Sequence, residues 1–161
     1  MILAGSAVSG LMGAFLAMAL NFAPSPYAAY EMSIWMLGSL SERSWDHILL
    51  AGPFVGAGVL LLATMGRTLD ALALGEAQAQ SLGVNLDRSR ILALLGVGLA
   101  AGAATSAVGS IGFIGLVAPH LVRPFVGYQP SRTLLPSALF GAALLLVADV
   151  GTRLIPTTSE L

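Results

Sequence analysis

The chain has 161 residues, of which 57% are hydrophobic and only 9% charged; a soluble domain carries about 25% charged residues, so lipid is its main solvent. A net charge of −1, the absence of Lys and the lack of any basic tract exclude nucleic acid as a partner on electrostatic grounds. With no Cys in the sequence, a disulfide framework, thiolate metal sites and Cys nucleophiles are excluded too.

Ile2 to Ala23 is uncharged and long enough to cross a ~30 Å hydrocarbon core as a helix rising ~1.5 Å per residue. Pro24 and Pro26 then end it. Met1 opens directly onto this run, with no charged leader and no clear small-residue cleavage site, which predicts a span rather than a signal peptide. The loop from Pro24 to His47 holds a short amphipathic segment, Glu31 to Leu40, whose Trp35 fits an interfacial aromatic belt together with Trp45. Ile48 to Met65 is a second uncharged run, closed by Gly66-Arg67.

The loop over 67–90 differs in kind. Thr68 to Gly75 and Glu76 to Gly83 read as two short helices, each closed by a glycine, and Asp87 is placed to cap the span that follows. Ile91 to Val122 is too long for one crossing, and Gly109-Ser110 is a natural corner, so it divides into spans at 91–108 and 111–122. The stretch Gly109 to Arg123, GSIGFIGLVAPHLVR, predicts a membrane helix that starts after the Gly-Ser break, admits close neighbours at its glycines and stops at a charged interface. A fifth span covers Thr133 to Ala148 and extends through Asp149 toward Arg153, about 133–150.

Counting Arg between spans sets the orientation. Arg67, Arg88, Arg90, Arg123 and Arg132 fall on one face and only Arg43 and Arg153 on the other, so the first face is cytoplasmic. Merging the third and fourth spans would scatter these residues over both faces. Five spans in one all-α, polytopic membrane domain over 1–161 is the self-consistent reading.

Few residues invite chemistry. Gly109, Gly112 and Gly115 recur every third position, but no strand precedes them and no acidic residue follows about twenty positions on, so close helix packing reads better than a nucleotide fingerprint. His120 lacks a second His or carboxylate at ligand spacing, and Arg123 is placed to snorkel. Ser106, Ser110 and His120 form no recognised catalytic spacing, so no catalytic residue, metal ligand or cofactor site is expected. Asp149 and Arg153 stand four apart, as an intrahelical pair or as a basic group offered at the outer rim. Half of a secondary transporter with inverted repeats is the alternative architecture; it would show charged or unwound segments at mid-membrane, and the sequence displays none.

Four segments then carry a resemblance: Trp35 to Leu40, Leu69 to Val84, Gly109 to Arg123, and Leu144 to Asp149 with Arg153. In this order and spacing the chain resembles the permease subunits of binding-protein-dependent ABC importers for iron siderophores, haem and cobalamin. One departure is Ser110, where a proline is usual. The resemblance implies a ten-span fold of about twice this length, of which this chain is the second half without its last helix, breaking off at Ser159-Glu160-Leu161 and unable to transport alone. It implies a bacterial cytoplasmic membrane setting, with a cytoplasmic ABC ATPase subunit, a periplasmic or lipid-anchored substrate-binding protein and a second permease subunit as partners. It assigns Leu74, Gly75, Glu76, Ala79, Leu82 and Gly83 to the ATPase-docking surface. Gly109, Gly112, Phe113, Gly115 and Pro119 go to the translocation path and its gating, and Arg153 to docking of the binding protein.

Overall fold

Residues Ile2–Asn21 form α1, and the turn that follows is both a stop and a start. Ser25 Oγ accepts the Ala28 amide at 3.2 Å, and Pro26 opens α2, Pro26–Leu37, where a missing N–H costs nothing. Pro26 thus begins a twelve-residue helix that the sequence reading placed only from Glu31. The computed structural model describes residues 2–40 and 43–154, with eight α-helices and one 3-10 segment among them. The stretch expected to lead toward a further span, through Ser159-Glu160-Leu161, lies outside the described residues.

Helix α3, Trp45–Ala63, starts three residues before the expected Ile48. The Ser44 amide donates to His47 Nδ1 at 3.3 Å, and the Ser44 hydroxyl lies 3.0 Å from the same nitrogen. Two short helices follow, α4 (Gly66–Leu72) and α5 (Glu76–Ser81), and then α6, Leu86–Val108. Asn85, not Asp87, caps α6: its Oδ1 accepts the Arg88 amide at 3.0 Å, while Asp87 falls in the first turn. Helix α7, Ile114–Val122, leads through a 3-10 turn, Arg123–Val126, into α8, Pro130–Leu154.

Helices α1, α3, α6 and α8 have 20, 19, 23 and 25 residues and are long and apolar enough to cross a membrane. Their outward side chains are large and apolar: Leu49, Leu50 and Val147 are 72–75% exposed. Water would penalise such a surface, whereas hydrocarbon solvates it. The expected span at 111–122 is instead the nine-residue α7, about 14 Å long and so half a crossing.

Small residues make the helix interfaces. α3 packs along α6 where Gly58 crosses Gly96; a Cβ on Gly58 would stand 2.6 Å from both the Gly96 carbonyl oxygen and the Ala100 nitrogen. α7 packs along α8 at Gly141, where a Cβ would meet Ile114 Cγ2 at 3.2 Å and Ala118 Cβ at 3.5 Å. Without a hydrophobic drive between helices in lipid, such close backbone approach is the main source of association. α4 packs against α8.

Candidate functional site

Depth follows from this packing. Position 141 is eleven residues beyond Pro130, about 16 Å along α8, so Ile114 at the start of α7 sits near mid-depth. The other end of the connection is the C-terminus of α6, where the Ser39 amide donates to the Val108 carbonyl at 2.8 Å. Residues 109–113 join the two ends as non-helical chain, each able to extend about 3.3 Å. A non-helical segment of five residues therefore separates α6 from α7, longer than the Gly109-Ser110 corner expected from sequence. Glycine and apolar residues leave no charge to betray its length. Backbone of this kind at membrane depth is stable only against protein or along a water-filled path.

The segment is anchored at its outer end. Gly109 adopts φ +78 and ψ −169, a conformation essentially confined to glycine, and a Cβ there would collide with the Trp35 carbonyl and lie 2.7 Å from Gly38 Cα. Gly38, at φ +70, is as tight: its Cβ would meet Ser110 O at 2.7 Å. Phe113 is left-handed at φ +66 and 82% exposed, a strained and unburied position for a bulky residue. The close approach expected at all three glycines of this stretch holds for Gly109 alone. Nothing lies within 4 Å of a Cβ on Gly112 or Gly115, because α7 turns its Ile114 and Ala118 side, not its glycines, to α8. Pro119 lies inside α7, and its carbonyl accepts the Arg123 amide. His120 and Arg123 are exposed at the lower end of that helix.

The 67–90 loop is a knob of two short helices closed by hydrogen bonds. α5 closes with paired bonds, Val84 N–H to Ala79 O at 3.0 Å and Gly83 N–H to Gln80 O at 2.9 Å, with Gly83 left-handed at φ +85. Gly75, at φ +110, joins α4 to α5; a Cβ there would stand 2.6 Å from Gln78 Oε1. Leu74 and Leu82 are 64% and 66% exposed and flank a shallow depression lined also by Ala77, Gln78 and Ser81. Ala79 is fully buried, so it packs the knob from within and is not part of its outer surface. Glu76 reaches back to Arg90, Nη2 to Oε1 at 3.0 Å.

Sequence reasoning missed Asp70. Its Oδ1 accepts the Ser131 amide at 2.8 Å, and its Oδ2 accepts the Ser131 hydroxyl at 2.6 Å and Gln129 Nε2 at 2.9 Å. The only signal was a carboxylate among the apolar residues of α4; its partners lie some sixty positions away. These bonds place the loop and the start of α8 at one end of the bundle, as the Arg count requires. At the opposite end Arg153 Nε donates to Asp149 Oδ2 at 2.9 Å, so the intrahelical pair is formed while Arg153 stays 57% exposed.

Similarity to known proteins gives this geometry a family. The hemin transport system permease protein HmuU of Yersinia pestis is 37% identical over 162 residues, and the vitamin B12 import system permease protein BtuC of Vibrio cholerae 39% over 162; each match takes in 100% of this chain and 48% of the relative. The Fe(3+) dicitrate transport system permease protein FecD of Escherichia coli is 41% identical over 128 residues, 80% of this chain and 40% of that protein. A solved structure described as a metal-chelate type ABC transporter in an inward-facing conformation superposes with a TM-score of 0.84 at 29% identity, covering 92% of this chain and 50% of its own. The chain thus spans about half the length of the relatives it matches. With four membrane-length helices among the described residues and a match to the FecCD transport family over residues 1–161, this multi-pass membrane protein belongs to that family.

Proposed function

We propose that the chain is part of the membrane-spanning translocation subunit of an ABC importer that takes up iron-siderophore, haem or cobalamin-type chelates across a bacterial cytoplasmic membrane. It performs no catalysis of its own and needs no cofactor; ATP is hydrolysed on a partner. The observation that carries the reading is the closed two-helix knob at the Arg-rich end of a FecCD bundle. A permease must receive force across an aqueous gap, and a closed knob with exposed Leu74 and Leu82 beside a shallow depression suits an ATPase surface. Gly75, Glu76 and Gly83 shape the knob, and Ala79 fills it. The unwound 109–113 segment, with Phe113 exposed above α7, lines the translocation path, and Gly112, Gly115 and Pro119 leave that short helix free to rearrange. A second permease subunit completes the path, and a periplasmic or lipid-anchored binding protein delivers the chelate.

The knob is tested at Gly83. Valine there must hold a left-handed backbone, a local penalty of roughly 1–2 kcal/mol with no steric clash to confuse it. In the full-length transporter Gly83→Val should abolish uptake while the binding protein still docks, and Gly83→Asn, which tolerates this conformation, should retain most of it. Unchanged uptake and ATPase assembly in Gly83→Val would overturn the docking role.

At the outer rim, Arg153 serves the binding protein. Charge reversal by Arg153→Glu should slow association roughly tenfold at low ionic strength and progressively less as salt is raised. Stopped-flow association with the cognate binding protein measures this. Identical rates and salt dependence in both proteins would leave Arg153 as the partner of Asp149 alone.

A further inference from the structure

The knob stands on two feet, and each rests on a different helix pair. α5 is tied to α6 by Glu76 and Arg90, Nη2 lying 3.0 Å from Oε1 and 3.2 Å from Oε2, and α6 packs on α3. α4 is tied to α8 by Asp70, and α8 packs on α7. Chain connections cannot replace the second tie. The loop is covalently continuous with α3 on one side and α6 on the other, so both of its direct covalent links lead into the same pair. Among the described residues, every polar contact from the loop to the α7–α8 pair converges on the Asp70 carboxylate.

The contact also has the chemistry of a fastener. Ser131 lies in the first turn of α8, where backbone amides have no acceptor within the helix, and Asp70 supplies one from another element, at the end where the helix dipole favours a negative charge. Both carboxylate oxygens are engaged, which fixes direction as well as distance. The Ser131 hydroxyl, Gln129 and the Ser131 amide hold the Asp70 carboxyl below its ordinary value of 3.8, with Arg132 adding attraction. It stays ionised at any cytoplasmic pH.

From this geometry we propose that Asp70 is the positioning residue that carries movement of the ATPase-docked knob into α8, and through α8 into α7 and the 109–113 segment. The inference rests on the docking role given to the knob above. With Asp70 removed, the knob would still move α3 and α6 through the chain, but α8 would be held only by the packing of α4 against it, which lacks the directed bonds that fix their relative position.

The test uses the complete transporter, with its ATPase and binding protein, in proteoliposomes. Three readouts are taken: cross-linking of a Gln78→Cys knob to a cysteine on the ATPase, ATP hydrolysis, and substrate transported per ATP. For Asp70→Ala and the near-isosteric Asp70→Asn, cross-linking and hydrolysis should persist while transport per ATP falls on the order of tenfold, within the usual span of coupling energies. The reciprocal variant, Asp70→Ser with Ser131→Asp, should restore most of the ratio, since it rebuilds a hydroxyl–carboxylate bridge between the same elements. An unchanged ratio in Asp70→Asn and Asp70→Ala, with the cross-link present, overturns the role of Asp70 and leaves the docking reading intact. Loss that the reciprocal pair does not restore overturns it as well, by reducing Asp70 to a general support of the loop. Absence of the cross-link with residue 70 native removes the docking reading and this inference together.

Discussion

Gly58→Val is expected to destabilise the α3–α6 pair by about 3 kcal/mol, near the upper end of the range for overpacking. Two terms compete at this position. Replacing a helical glycine by valine recovers only about 0.3–0.5 kcal/mol of helix propensity, because β-branched valine is itself a poor helix former, and taken alone this is slightly stabilising. Against it, the first added carbon would stand 2.6 Å from the Gly96 carbonyl oxygen and from the Ala100 nitrogen, and both are backbone atoms that cannot swing aside as a flexible side chain would. The clash wins, and the branched carbons of valine enlarge it. Gly56 is the internal control, being on the same helix with nothing within 4 Å of its Cβ. Thermal unfolding in detergent should show Gly58→Val well below the parent and Gly56→Ala at or slightly above it. Equal stability of all three would mean that α3 and α6 do not cross at Gly58 and Gly96.

Gly109→Ala should be nearly as costly, although alanine adds a single carbon. Its backbone, at φ +78 and ψ −169, lies where residues with a Cβ pay about 1–3 kcal/mol, and that Cβ would also run into the Trp35 carbonyl and Gly38. The least expensive relief is for α2 to lift away from the α6 corner. Because the sequence has only two Trp, Trp45→Phe leaves Trp35 as sole reporter of that movement. In this background Gly109→Ala should shift the Trp35 emission and lower the melting temperature, whereas Gly112→Ala, with open space around it, should do neither. A Trp35 spectrum indifferent to residue 109 would refute the anchoring of α2 on the corner.

The elements whose boundaries were misjudged share a cause. Pro26 reads as a breaker in an apolar pattern, yet at a first helical position behind Ser25 it is an initiator, and only the path of the chain distinguishes the two. Asn85 and Asp87 are both good caps, and α6 begins at the earlier one because the short α5 ends at Ser81 and leaves the chain free to turn there. Gly83 was legible, since a glycine closing a short helix has one dominant conformation. Ala79 was misplaced on the knob's outer surface because a small residue is compatible with either face, and its complete burial depends on how α5 lies on its neighbours.

Composition and run length by themselves determined that this is an all-helical membrane domain with α1, α3, α6 and α8 as crossings, which end carries the Arg residues, and where the two-helix loop lies. These properties are local: transfer of about twenty apolar residues into hydrocarbon and the closure of a helix by glycine are settled within a few turns of chain. Tertiary structure alone decided that α7 is half a crossing, that the close glycine contacts are Gly58 with Gly96 and Gly38 with Gly109 rather than Gly112 and Gly115, and that Asp70 is bonded to Ser131. Each depends on which helices meet and at what height. In lipid that choice is made by backbone proximity and hydrogen bonding between distant segments, and a hydrophobic pattern carries no record of either.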